Sequence, residues 1–152
     1  MGGIRILATA HSSAAPTAVF ALLKDGSTWP AWSMFDAFEL ERPGRAEPYG
    51  VGAIRVFITK VSRAREEVVE LVQDRRLSYV LLSGLPFRDY HADVDLVPAA
   101  DGGTTISWRA TFDAKHFGLG WFWRLFMTRV LAQTAGQLAA AAARRTTDDA
   151  QR

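Results

Sequence analysis

The sequence contains no cysteine and no asparagine, and its basic side chains are fifteen arginines and only three lysines. Each shortage closes off a class of function. Without cysteine there is no disulfide framework, no thiolate metal site and no cysteine nucleophile. Without asparagine there is no N-glycosylation motif and no Asn-based oxyanion donor. Charge of one sign is scarce too, since Lys plus Arg number 18 against 16 for Asp plus Glu. The arginines are scattered, and their one cluster, Arg63, Arg65, Arg75 and Arg76, is interrupted by Glu66, Glu67 and Glu70. A nucleic-acid partner is therefore not expected. Nor is there a long apolar run: Arg124 and Arg129 break the ring-rich stretch "GLGWFWRLFMTRVL" well short of the ~20 residues a spanning helix needs. The opening "MGGIRILATA" has one early arginine and a short apolar run, so no signal peptide or transmembrane segment is expected there, and the expected compartment is the cytoplasm.

What remains is the composition of an ordinary globule, 49% hydrophobic and 22% charged. At 152 residues the chain can build one core, and a domain of this size buries roughly 68–70% of its unfolded surface. Residues 1–143 read as a single domain. Residues 144–152, which include "TTDDAQR", have nothing to bury and read as a flexible tail.

"IRILATAHS" reads as a strand, and "AAPTAVFALLKDG" as a short helix with Pro16 in its first turn and Gly26 as its stop. "STWPAWSMF" gives a second short helix. Strand patterns then follow without interruption: "AFELER", "GAIRVFITKVS", "REEVVELVQ", "LSYVLLS", "RDYHADVDLV" and "TTISWRATFD". The links between them are short and turn-rich, which means antiparallel pairing. With "GLPF" as a hairpin tip, Tyr90 falls opposite Leu81, Ala92 opposite Tyr79 and Val94 opposite Leu77, all on one apolar face. Ile106, Trp108, Ala110 and Phe112 alternate inward on the last strand.

A long C-terminal helix begins near Gly118 or Gly120 and is expected to run to about Ala143. Its side chains form one row of Leu119, Phe122, Phe126 and Val130, and beside it a second of Trp123, Met127, Val130 and Thr134. Gly136, Ala139, Ala140 and Ala143 then permit close approach. Rings surround most of the circumference of the first half, so that half is expected to be buried by its own protein instead of lying on a bilayer. The pieces make a two-layer α+β domain, a twisted seven-stranded sheet with the long helix in its concavity. The ring-rich half would stand where sheet and helix diverge, and the alanine half where they touch.

This order of elements, with "STWPAW", "VGAIRVF", "RRLSYVLLSGLPFRDYHADVDLVP" and "GGTTISWRATF", resembles the SRPBCC superfamily, the helix-grip fold of the birch-pollen allergen, and within it the polyketide cyclase/dehydrase-like group. The resemblance covers residues 4–143. It implies a sheet order of 1-7-6-5-4-3-2 and a deep cavity between sheet and helix that holds an apolar ligand. It does not fix a chemistry, which must be argued from the site.

The expected cavity lining is Trp32, Phe38, Phe57, Tyr79, Leu81, Tyr90, Trp108, Phe112, Phe122, Phe126 and Met127, side chains that would equally serve as plain core. Arg55 shares a strand face with Phe57. It either reaches the cavity wall, where it could hold a carboxylate or enolate oxygen, or is a surface arginine paired with Glu70 or a neighbour. His91, Asp93 and Asp95 form a ladder on the polar face, where a solvated surface is the simpler reading than a metal site, and none is expected. Asp36 could act as a base at the mouth or be a loop carboxylate. Ser83 lacks the nucleophile-elbow frame, and "GVGAIR" and "GLGWFW" lack the third glycine of a dinucleotide fingerprint.

Three functions follow. The first is binding of an apolar, aromatic or lipid-like small molecule, by a monomer or homodimer without a cofactor. The second is a polyketide cyclase or dehydratase in which Arg55, Tyr79 and Tyr90 assist proton transfer. The third is a co-chaperone-like interaction module, which should have a filled interior and a large surface patch.

Overall fold

The computed structural model describes residues 3–152. The elements run β1 (Ile4–Ser12), α1 (Pro16–Lys24), a 3-10 turn (Gly26–Thr28), α2 (Trp29–Trp32), β2 (Ala37–Arg42), β3 (Ile54–Ile58), β4 (Arg63–Val72), β5 (Arg76–Ser83), β6 (Phe87–Pro98), β7 (Thr104–Ala114) and α3 (Gly120–Ala150). The seven strands form one antiparallel sheet in the order β1-β7-β6-β5-β4-β3-β2. Irregularities in β2, β4 and β6 interrupt its ladders, and bulges of this kind bend a strand and add twist.

The two short helices are locked together by side chains that satisfy the orphan carbonyls at the end of α1. Thr28 Oγ1 donates to the carbonyls of Leu22 and Asp25, and the Trp29 indole N–H donates to Leu23 O at 3.2 Å. Asp25 in turn accepts from the Ser27 amide and hydroxyl. These bonds replace a conventional C-cap and hold Trp29 inward over the sheet.

One sheet face is the core: Ile6 and Ala8 of β1, Tyr90, Ala92, Val94 and Leu96 of β6, and Ile106, Trp108, Ala110 and Phe112 of β7 are all buried. The other face is wet and carries arginine–carboxylate pairs, Arg63 with Glu39, Arg65 with Glu41, and Arg76 and Arg109 with Asp95. Leu77 pairs Val94 and Tyr79 pairs Ala92 as the sequence suggested. Tyr90 and Leu81 do not pair: the β5–β6 ladder ends at Val80–His91, because Asp89 turns to a positive φ of 53° and throws β6 out of step between Arg88 and His91.

The helix α3 grips the sheet by its alanine half. Ala135, Leu138, Ala139 and Ala142 are buried, and Ser12 Oγ donates to Ala139 O at 2.7 Å, a bond from strand to helix backbone that only close approach allows. The helix also runs past its expected end at Ala143 to Ala150, with residues 144–150 exposed. Neither glycine nor proline occurs after Gln137 to stop it, and the alanine run favours helix intrinsically.

Two glycines test the tight turns. Gly84 (φ +105°) and Gly102 (φ +85°) both hold left-handed backbone, but a Cβ on Gly84 would stand 1.8 Å from Arg63 O, whereas one on Gly102 meets nothing. Gly102→Ala should cost only the conformational term, about 1 kcal/mol. Gly84→Ala should cost about 3 kcal/mol or more, because backbone must also move. Urea unfolding of both variants checks the difference; equal losses would show that the close approach at Gly84 is relaxed.

Candidate functional site

Between the ring-rich half of α3, α2 and strands β3 to β7 lies a cavity of about 410 Å³, within the range that small-molecule sites occupy. Trp29, Phe35 and Phe57 close one side, Tyr79, Phe87, Tyr90 and Trp108 form the floor, and Trp123, Phe126, Met127, Val130, Leu131 and Thr134 come from the helix. Met34, Val61 and Phe126 border the cavity yet are exposed, which marks its mouth.

Of the residues read from the sequence as lining, Phe57, Tyr79, Leu81, Tyr90, Trp108, Phe126 and Met127 are on the wall. Trp32, Phe38, Phe112, Phe122 and Arg55 are not. Trp32 stands behind Trp29, 4.8 Å between ring centroids, with its N–H on Thr28 Oγ1. Phe38 covers Gly26 and leans on Phe57. Phe112 is sealed beneath Phe87 and Tyr90. Phe122 points outward from the helix and is 42% exposed.

Arg55 takes neither of its two expected places. It is fully buried behind the wall, where Nη2 donates to Glu66 Oε1 at 2.8 Å and Nη1 to Leu23 O at 3.0 Å. Its guanidinium lies against the rings of Trp29 and Phe57, 5.4 and 5.0 Å from their centroids. Glu70, the partner that the sequence suggested by name, pairs with Arg76. The residue that does reach the cavity is Glu66, the one charged group on the wall among the described residues. Alternation along β4 signals this, because Ala64, Glu66 and Val68 share the inward face.

Burial raises the Glu66 carboxyl above the usual range, against the opposing pull of Arg55. Burial likewise raises the Tyr79 hydroxyl well above the ordinary phenol, helped by the neighbouring Tyr90 and Glu66, and it raises Tyr90. Both phenols are therefore hydrogen-bonding groups, not bases, near neutrality. Tyr79 accepts from the Trp108 indole at 3.2 Å, while the buried Trp123 indole N–H, also on the wall, has no partner among the described residues.

The polar ladder on β6 is on the opposite face and is engaged in surface pairs. His91 contacts Asp93, Asp93 accepts from Ser78, and Asp95 holds Arg76 and Arg109. Asp36 is exposed next to the mouth and off the wall.

A curled antiparallel sheet gripping a C-terminal helix over an apolar hollow defines the helix-grip class. The chain belongs to the family described as "Polyketide cyclase / dehydrase and lipid transport", whose model matches residues 4–143. None of the curated proteins matches it significantly. Among solved structures, a protein from Thermobifida fusca is 25% identical with a TM-score of 0.75, over 92% of this chain and 93% of that one. A START superfamily protein from Mycobacterium smegmatis is 14% identical with a TM-score of 0.73, over 96% and 99%. Ara h 8.0201 is 16% identical with a TM-score of 0.71, over 91% and 96%.

Removing Arg55 leaves a buried carboxylate without its counter-ion, so Arg55→Met should lose about 3–5 kcal/mol near neutrality. A carboxyl whose folded pKa is raised favours folding below its unfolded pKa, and that contribution is lost as pH rises through the folded value. Arg55→Met removes the pull that opposes burial and widens this window upward. The variant should therefore regain stability on acidification from neutral pH, and Arg55→Met/Glu66→Leu should not. Urea midpoints across a pH series check both.

Proposed function

We propose that the domain binds an uncharged, largely apolar small molecule, aromatic or lipid-like, in the cavity between the sheet and α3. The observation that carries this reading is the wall itself: among the described residues it has rings and aliphatic side chains, no cation, and one carboxylate. An anionic ligand would meet the Glu66 carboxylate with no free cation to pair with, since Arg55 is already committed to Glu66 behind the wall. A neutral ligand with a hydroxyl can instead donate to Glu66, and a ligand oxygen can accept from Tyr79, Tyr90 or Trp123. Such buried polar partners, left unpaired by an analogue that lacks the matching group, discriminate strongly.

A second reading, a cyclase or dehydratase in the same cavity, draws support from Glu66 alone. A carboxyl with a raised pKa beside a ligand is suited to proton transfer. Its ion pair with Arg55 and the protonated phenols weigh on the side of binding without chemistry. The interaction-module reading expects a filled interior, and the open cavity weighs against it.

Calorimetric titration with naphthol and with naphthoate tests the proposal. The hydroxyl compound should bind at least about tenfold more tightly, as one desolvated polar mismatch implies, and Arg55→Met/Glu66→Leu should erase the preference. Equal binding of both by the unaltered protein would refute it. Val130→Trp, which adds a ring at the helix wall, should weaken both. Native mass spectrometry of protein gently purified from its host, with organic extraction, then identifies the ligand.

A further inference from the structure

The sequence suggested that the ring-rich half of α3 is buried by its own protein, but only its inner face is; the outer face is exposed. Trp121 is 70% exposed, Leu125 49% and Phe126 45%, and with Phe122 they fall, at ~100° per residue, on one face about 140° wide. Arg129 lies in the middle of that face and is exposed. Just before the helix, Phe117 is fully exposed, on a loop that the Lys115 amide ties to Pro86 O, at the edge of the cavity. Trp121 meets Phe122, and Phe122 stacks on Phe126, which borders the mouth. The strip thus runs without a break from the helix surface to the cavity entrance.

The charges that the helix and the loop before it bring to this strip have one sign. No Asp or Glu occurs between Asp113 and Asp148, while Lys115, His116, Arg124 and Arg129 do. On the far lip, Lys60 beside Val61 and Asp36 near Met34 offset each other. Surface rings with Arg129 among them and the exposed Arg124 on their flank are the complement of an anionic bilayer surface. The rings enter the headgroup boundary while the arginines reach phosphate.

We infer that this face docks on an anionic lipid surface, with Trp121, Leu125 and Phe117 inserted and Arg124 and Arg129 on the headgroups, so that the cavity mouth opens at the membrane. The inference is independent of which ligand fills the cavity. An apolar ligand would then pass between bilayer and cavity without crossing water.

Flotation of the full-length protein with vesicles tests it. Binding to mixed phosphatidylcholine/phosphatidylglycerol vesicles should exceed binding to phosphatidylcholine alone and should fall with salt. Trp121→Ser/Leu125→Ser should lower partitioning about tenfold or more. Arg124→Gln and Arg129→Gln should each lower it roughly fivefold. Thermal melts of these surface variants should match the unaltered protein. Failure to float with the anionic vesicles would overturn the inference. So would a dimer in sedimentation that dissociates in the Trp121→Ser/Leu125→Ser variant, because the face would then belong to a second copy. Naphthol binding is measured separately, so loss of docking and loss of the cavity reading are distinguishable.

Discussion

A straight helix cannot follow a curled sheet along its whole length, and most of this molecule is a consequence of that mismatch. At the C-terminal end α3 comes down on β1 with alanines, close enough for Ser12 to bond the Ala139 carbonyl. The contact fixes the angle of the rod. At its other end the sheet bends away, and the gap is wider than one layer of side chains. Large rings from both sides narrow the gap without filling it, so their inner edges lack the neighbours a packed core would provide. A void of that kind is a standing loss of dispersion energy, which a bound apolar molecule recovers.

The buried ion pair sets the polarity of the cavity wall. Arg55 and Glu66 face each other across β3 and β4, and two charges taken out of water are seldom more stable than an apolar pair of equal volume. Their placement nonetheless has an effect that an apolar pair could not have. The arginine is buried under Trp29 and Phe57 and tied to the end of α1, while the carboxylate reaches the cavity. The positive member ties β3 to the end of α1 and holds the carboxylate in position, and the negative member faces the cavity. The site therefore offers acceptor capacity without net charge, the opposite polarity from a wall in which the guanidinium pointed inward.

Much of the fold was legible because period-two alternation and short turns admit few alternatives. β1 and β2 begin and end where their patterns do. Half-buried strands also predicted Tyr79, Tyr90 and Trp108 on the inner face. The helix was harder to read, since two adjacent rows of side chains were both apolar and periodicity could not choose between them. The row of Trp123, Met127, Val130 and Thr134 faces the cavity, and that of Leu119 and Phe122 faces out. Arg55 illustrates a different limit. Its face was inferable from Phe57, but which of two paired residues reaches the hollow depends on depth, and depth is set by the neighbouring strand. Phe112 and Trp32 failed as lining residues for the same reason: they face inward but are covered by other rings.

The outward row has a further physical meaning. A helix apolar around most of its circumference needs two covers, and the sheet supplies only one. Phe126 belongs to both faces of the problem, exposed on the surface strip and present on the cavity wall. Its ring stacks on Phe122 outside and meets Trp123 edge-on inside. Whatever covers the strip must press on Phe126, and whatever passes the mouth must move past it. A cover on the strip and a molecule at the mouth would thus both touch this one side chain.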